Sequence, residues 1–252
     1  RIGERLIGEG HRTFVIAEIG INHNGSEDLA LRLVEDAKSA GADAVKLQKR
    51  DLKSLYTSDV LERVIQHERH FQYMIPILRR VELDEEAHAR IAARCRELKI
   101  EFLCTAFDPP SVDFIAQLGV HAFKVSSADL TNWPLLERMA SHGKPLLLST
   151  GMSLMPEIES TVNFLNSKGA EFAILHCVSL YPALYREVNL KVMDELQKFG
   201  VNIGYSGHDR GIEVSLAAVA RGARIIEKHF THDRTASGPD HKVSLEKDEF
   251  AR

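Results

Sequence analysis

Residues 199–231 read FGVNIGYSGHDRGIEVSLAAVARGARIIEKHFT. Gly200 precedes a short apolar run, Val201–Gly207; a longer amphipathic stretch follows, then Gly222 and a second short run, Arg224–Thr231. Glycine at the end of a helix supplies the left-handed conformation that turns the chain into a strand, so the segment reads strand, helix, strand. The unit recurs on both sides. Runs at Phe14–Ile21, Ala44–Lys49, Glu101–Phe107, His121–Ser127, Pro145–Gly151 and Phe172–Ser179 bring the strands to eight. Gly41, Gly119, Gly143 and Gly169 stand before four of these runs as Gly200 and Gly222 stand before theirs. Repeated βα units mean a parallel sheet with helices outside it. Eight units in 252 residues match the roughly 250 residues of a closed (β/α)8 TIM barrel. The open nucleotide-binding alternative would want G-x-G-x-x-G after an early strand, and the chain has none.

The predicted fold class is therefore α/β, one barrel over residues 1–252 with an insertion at about 51–80 that carries His67, His70, Phe71 and Tyr73. That insertion opens just past a strand's C-terminal end, where barrel enzymes keep their active-site loops. The chain starts at Arg1, and its last helix, from near Leu245, breaks off at Arg252, so the expectation is an excised barrel lacking a following domain. Lys plus Arg total 32 against 36 Asp plus Glu, a net charge of −4 that argues against a general nucleic-acid binder. No apolar run reaches the ~18 residues of a membrane span. Cys95, Cys104 and Cys177 cannot all pair within one chain and lack zinc-type spacing, which makes a reducing cytoplasm the default setting.

Strand alternation sorts the side chains by face. Glu18, Lys46, Lys124 and Glu227 fall mid-strand on positions that face the barrel interior, where a charge is costly unless paired or used. A Lys46–Glu227 ion pair near the barrel floor is the structural alternative. Asn22, Gln48, Thr105, Ser127, Ser149, Ser179, Tyr181, Ser206 and His208 cluster at the C-terminal strand ends, the rim where barrel catalysis occurs. Two lysines among several hydroxyls make a cradle for phosphate or carboxylate. His208 and His229 end neighbouring strands and can hold one divalent ion with open positions left for water and substrate. Asp209, His232, Asp240 and His241 compete as ligands. His23, His67 and His70 are open to a substrate or a structural role, and His176, inside an apolar strand, reads as structural.

These residues resemble a known family. Ala17-Glu18-Ile19-Gly20-Ile21-Asn22-His23-Asn24-Gly25 is similar to the opening strand and loop of the sialic acid synthases. The likeness continues through Val45-Lys46-Leu47-Gln48, Lys124-Val125-Ser126-Ser127-Ala128-Asp129 and Leu148-Ser149-Thr150-Gly151-Met152. His176-Cys177-Val178-Ser179-Leu180-Tyr181-Pro182, Gly204-Tyr205-Ser206-Gly207-His208, Ile226-Glu227-Lys228-His229-Phe230-Thr231 and Ser237-Gly238-Pro239-Asp240-His241 complete it in the same order. The resemblance implies a transferase that condenses phosphoenolpyruvate with an N-acetylated hexose, N-acetylmannosamine or its 6-phosphate, to a nonulosonic acid and phosphate. It implies Lys46, Thr105, Lys124, Ser127, Ser179 and Ser206 around phosphoenolpyruvate. His208 and His229 would sit on manganese, with magnesium or cobalt as alternatives. Gln48, Asp129, Ser149, Tyr181 and Asp240 would face the sugar, and Glu18 would stand near the enol carbon and the attacking water.

The chain also departs from that pattern. Asp129 stands where many members carry Glu, Ser179 stands where bacterial members commonly carry Asn, and Lys49-Arg50 adds two charges at the rim, read either as a mark of a more acidic sugar or as a solvated pair. The family's C-terminal antifreeze-like domain, which in relatives reaches across a dimer with an arginine, is absent, so weak turnover is expected and a homodimer is allowed. Two other functions compete: a Schiff-base aldolase using Lys46 or Lys124, and a non-catalytic sensor of sugar or phosphoenolpyruvate.

Overall fold

The computed structural model describes residues 1–62 and 71–252, and all eight runs are strands. They are β1 Phe14–Gly20, β2 Ala44–Lys49, β3 Glu101–Ala106, β4 Phe123–Val125, β5 Leu146–Ser149, β6 Phe172–Cys177, β7 Asn202–Gly207 and β8 Ile225–His229. Each pairs in parallel with its sequence neighbours and β8 pairs with β1, closing the barrel. The sequence reading carries most strands one or two residues further, because Ile21, Phe107, Ser127 and Ser179 have already left the ladder for the loops. The six strand-preceding glycines all take positive φ, from 64° at Gly143 and Gly169 to 96° at Gly222. β3 has no such glycine; Lys99 itself adopts the left-handed conformation (φ 54°) after the helix Glu85–Leu98.

The barrel interior changes character one step up each strand. Phe14, Ile16, Ala44, Leu103, Ala122, Leu147, Ala173, Leu175 and Ile225 pack together as an apolar floor, plugged from below by Ile2. Burying a side chain such as Leu103 or Ile16 there stabilises the fold by about 1.5–3 kcal/mol. The next inward residues are polar: Ile16 is followed by Glu18, Ala44 by Lys46, Leu103 by Thr105, Ala122 by Lys124, Leu147 by Ser149 and Ile225 by Glu227. A two-residue period keeps each pair on one face, so a ring of ionisable groups stands on an apolar base. The outward faces, Ala17, Ile19, Val45, Leu47, Phe102 and Cys104 among them, pack beneath the helices.

Between β2 and the helix Glu85–Leu98 lie the described helices Leu52–Leu55, Ser58–Glu62 and Phe71–Val81. Asp108 ties this segment to the barrel. Its carboxylate accepts from the Asp51 N–H (2.7 Å) while capping the helix Pro109–Gln117 through the Ser111 N–H (2.8 Å) and hydroxyl (2.9 Å). His67 and His70 lie outside the described residues. Among the described residues no helix is long and apolar enough to cross a membrane.

Candidate active site

A cavity of about 500 Å³ opens at the C-terminal ends of the strands, and its walls bring together residues from all eight. Glu18, Lys46, Lys124 and Glu227 form its base, each nearly shut off from solvent. The Lys46 ammonium lies 2.8 Å from Glu18 Oε2 and donates to Thr105 Oγ1 at 2.7 Å. Lys124 donates to Ser149 Oγ at 2.7 Å and to the Val125 carbonyl at 2.8 Å. Glu227 stands between the lysines, 3.9 Å from each, and accepts from Ser206 Oγ at 2.9 Å. The Lys46–Glu227 contact is thus part of the cavity; the floor beneath it is apolar.

Burial pulls these groups in different directions. It raises the Glu18 carboxyl above the ordinary carboxylate range despite Lys46. Burial would also raise Glu227, but Lys124 and Lys46 outweigh it and hold that carboxyl low. Lys46 is pressed down by burial and lifted further by Glu18 and Glu227, ending above its usual value, whereas burial wins at Lys124 and lowers it. Two carboxylates whose environments separate them in this way are suited to different tasks, one exchanging a proton and one remaining charged.

Above the lysines, Gly151 donates its N–H to Ser127 Oγ at 3.0 Å. A β-carbon at Gly151 would fall 2.6 Å from Ser179 Oγ, 2.9 Å from Ser127 Oγ and 3.0 Å from Cys177 Sγ, so only glycine leaves room between these side chains. On the opposite wall Gly20 is flanked by Glu18, Gln48 and Asp240. Gln48 Nε2 donates to Glu18 Oε1 at 3.0 Å, and Arg50 donates to Gln48 Oε1 at 2.7 Å.

The imidazoles of His208 and His229 stand with ring centroids 5.4 Å apart, and Tyr181 stacks on His208 at 4.0 Å. His208 Nδ1 donates to the Val178 carbonyl at 2.7 Å, which fixes the tautomer and leaves Nε2 with a lone pair. Burial would lower His208, but Cys177 and that carbonyl outweigh it; His229 is held well below its usual value, first by burial and then by His208 and Lys46. His229 Nδ1 is buried without a hydrogen-bond partner among the described residues, 3.9 Å from Asp240 Oδ2. Two close imidazoles, one oriented through its far nitrogen and one with an unsatisfied buried nitrogen, fit a divalent ion. Among the described residues no group of three His, Cys, Asp or Glu side chains is arranged to hold a metal.

Of the residues singled out in the sequence, Glu18, Lys46, Gln48, Thr105, Lys124, Ser127, Ser149, Ser179, Tyr181, Ser206, His208, His229 and Asp240 line this cavity. Asp129 does not. The chain coils into a short 3-10 turn at Ser127–Asp129, and the Asp129 carboxylate accepts from Ser126 Oγ (2.6 Å) and Asn132 Nδ2 (3.3 Å). Asp209, a competing metal ligand by sequence, instead takes the Tyr205 hydroxyl at 2.6 Å and pairs with Lys228 at 3.2 Å, away from the cavity. His241 is engaged by Thr231 (2.7 Å) and Asn24 (3.3 Å), and His176 by the Val188 carbonyl (2.5 Å). His23 is buried, its Nδ1 accepting from the Gly25 N–H at 3.1 Å. The cavity also recruits Arg50, Phe107, Ser126, Met152 and Cys177. Parity along β2 and β6 puts Arg50 with Lys46 and Cys177 with Leu175, a signal present in the sequence but not enough to single them out.

A broader depression of about 1200 Å³ lies at the other end of the barrel, lined by Asp43, Glu101, Lys144 and other surface charges. The buried ionisable ring sits at the C-terminal mouth, where barrel enzymes work, and that geometry outweighs size.

Comparison with known proteins agrees with the strand-by-strand likeness. The NeuB family matches residues 33–252. The N,N'-diacetyllegionaminic acid synthase of Campylobacter jejuni is 43% identical over 245 residues, covering 95% of this chain and 73% of that protein. The human N-acetylneuraminate-9-phosphate synthase is 37% identical over 260 residues, covering 98% and 70%. The crystal structure of the N-acetylneuraminic acid synthetase of Leptospira borgpetersenii, in complex with citrate, superposes with a TM-score of 0.91 at 35% identity, covering 100% of this chain and 84% of that one. By sequence and by fold, the chain belongs to the NeuB family.

Proposed function

We propose that the chain condenses phosphoenolpyruvate with an N-acetylated six-carbon aldose, giving a nonulosonic acid of the sialic type and inorganic phosphate. The observation that carries this reading is the alternation of Lys46, Lys124, Glu18 and Glu227, spaced 2.8–3.9 Å apart, with His229 two residues above Glu227 on the same strand face. Lys46 and Lys124 bind the anionic ends of phosphoenolpyruvate, and the hydroxyls of Thr105, Ser127, Ser179 and Ser206 supply neutral hydrogen bonds around them. Gln48, Ser149, Tyr181 and Asp240 face the acceptor sugar. His208 and His229 would hold a divalent ion, with manganese preferred and magnesium or cobalt as alternatives, which when bound polarises the sugar aldehyde as a Lewis acid.

The enol carbon C3 forms a bond to the aldehyde carbon as the carbonyl π pair moves onto the aldehyde oxygen, and water captures the electron-poor C2 that results. Glu18, whose carboxyl burial holds above the ordinary range, takes the water proton. The bond between C2 and the phosphate oxygen then breaks as the C2 hydroxyl gives up its remaining proton and becomes the ketone. That proton leaves with inorganic phosphate, and the proton on Glu18 passes to the aldehyde-derived oxygen, which becomes a hydroxyl. Glu227 stays ionised between the lysines and keeps their charge compensated before substrate enters. The three buried free cysteines accord with a reducing, cytoplasmic setting.

The deciding assay is phosphate release from phosphoenolpyruvate with manganese. It is run with N-acetylmannosamine, its 6-phosphate, the di-N-acetylated six-carbon sugar that would give a legionaminic acid, or no sugar. Sugar-dependent release supports the reading; no release with any of them overturns it. One observation favours a second reading: burial lowers Lys124, as a Schiff-base lysine requires. Borohydride trapping with pyruvate separates the two, since a stable adduct on Lys124 or Lys46 would replace the synthase by an aldolase.

A further inference from the structure

Arg50 is the charged residue of the cavity wall that the proposed reaction leaves unused. Its guanidinium carbon lies 3.7 Å from the Phe107 ring centroid, and one of its N–H groups goes to Gln48 Oε1 at 2.7 Å. No carboxylate among the described residues comes within ion-pair distance of it; Asp240 and Glu18 act on it only from further away. The fully buried lysines are compensated: Lys46 by Glu18 at 2.8 Å, Lys124 by Glu227 at 3.9 Å and, outside the cavity, Lys228 by Asp209 at 3.2 Å. The neighbouring Lys49 is also engaged, 3.1 Å from Glu82. Half-buried in the wall and without a carboxylate partner among the described residues, Arg50 is the cation with most to gain from a ligand that brings a counter-charge.

The position of Arg50 limits which ligand that is. Lys46, Gln48 and Arg50 alternate up β2 and just past its end, all lining the cavity. At a rise of about 3.3 Å per residue the backbone of Arg50 lies roughly 13 Å above that of Lys46, and its guanidinium reaches back to Gln48, the inward residue between them. Gln48 stands between Arg50 and the lysine seat of a three-carbon enol phosphate, so the group that meets Arg50 belongs to the other substrate.

We infer that Arg50 determines acceptor specificity by binding an anionic group, a phosphate ester or a carboxylate, at the end of the sugar remote from its aldehyde. The inference rests on the proposed synthase reading of the cavity. Stacking on Phe107 fixes the plane of the guanidinium, and with one N–H on Gln48 the others remain to form the paired bonds that a two-oxygen anion accepts. A neutral hydroxyl at the same place would displace cavity water and leave the charge uncompensated.

The experiment compares kcat/KM for N-acetylmannosamine, its 6-phosphate and N-acetylmannosaminuronic acid, in the unaltered protein and in Arg50→Met and Arg50→Lys. The unaltered protein is expected to prefer one of the two anions, and which one separates phosphate from carboxylate. Arg50→Met is expected to cut that preference roughly 100-fold, through KM rather than kcat, while Arg50→Lys, which keeps the charge and loses the fork, falls between. Arg50→Lys carries the test alone should Arg50→Met fail to fold. A neutral sugar used as well as either anion overturns the inference, as does an equal loss on all three sugars in Arg50→Met. If no sugar supports phosphate release, the synthase reading falls, and calorimetric titration of the same three sugars still decides Arg50. Anion binding that Arg50→Met abolishes upholds it; equal binding or none overturns it.

Discussion

The Lys46 ammonium lies 2.8 Å from a Glu18 carboxylate oxygen, at a depth where both are almost entirely buried. A second carboxylate, Glu227, reaches both Lys46 and Lys124 at 3.9 Å. The base of the cavity therefore sets two lysines and two carboxyls in a ring, with Glu18 pushed toward its protonated form by burial and Glu227 held ionised by the lysines. Such a ring is a poor stability device, because desolvation consumes much of the Coulombic gain. Its retention at the barrel mouth is explained by use.

Glu18→Gln separates use from structure. The amide keeps the shape and cannot take a proton, so kcat for phosphate release should fall at least about 100-fold while phosphoenolpyruvate still binds. The stability loss should stay below the roughly 3–5 kcal/mol of an orphaned buried charge, because Glu227 remains 3.9 Å from Lys46. Single-turnover kinetics with calorimetric binding check both; a variant that turns over within a few-fold of the parent removes Glu18 from proton transfer.

Gly151→Ala tests the seat above Lys124. The added carbon would lie 2.6 Å from Ser179 Oγ and 2.9 Å from Ser127 Oγ, and must push the two hydroxyls apart. The backbone there is not in the left-handed region, so the fold should tolerate alanine. Displacement of positioning groups by about 1 Å can cost 10²-fold, and the loss is expected in KM for phosphoenolpyruvate. Unchanged affinity for phosphoenolpyruvate would show that Ser127 and Ser179 do not contact it.

Much of this was legible in the sequence because it depends on local chemistry. Glycine before a strand is a backbone requirement, and all six such glycines have the predicted sign of φ. A two-residue period places Glu18, Lys46, Lys124 and Glu227 inward whatever the rest of the fold does. The failures fall where the strand ends. Past Val125 the chain coils instead of staying extended, and Asp129 turns to Ser126 and Asn132. Asp209 follows His208 directly, but its partners, Tyr205 and Lys228, come together only when β7 and β8 pair. The importance of Arg50 depends on Phe107, which lies 57 residues away and reaches it from the end of β3.

His208→Ala should weaken divalent-ion binding. Loss of outer partners of a metal ligand alone costs about 10- to 100-fold in affinity, so loss of a direct ligand should cost at least that. Manganese titration followed by electron paramagnetic resonance reads this without turnover. Tyr181, stacked on His208 at 4.0 Å, should lose order at the same time, visible as altered tyrosine fluorescence. Metal affinity and phosphate release both unchanged would remove His208 from the metal site.

The buried His23 gives the fold a pH dependence whose sign can be worked out. Burial, with His88 adding to it, pushes the imidazole down to about 4 from its usual 6.5. Its Nδ1 accepts from the Gly25 N–H at 3.1 Å, a bond that protonation at Nδ1 would abolish. Between pH 4 and 6.5 the unfolded chain carries the proton and the folded one does not, so stability must rise with pH across that window. Above 6.5 the contribution is level, and below about 4 the loss is complete. At 1.36 kcal/mol per pH unit the swing is about 3 kcal/mol for this residue. His88, His176 and His241 are all lowered by burial and add in the same direction. His23→Asn keeps an acceptor for Gly25 and removes the titration, so urea unfolding at intervals from pH 4 to 7.5 should show a shallower acid limb than the parent. Parallel pH profiles would mean that His23 is protonated alike in the folded and unfolded chain.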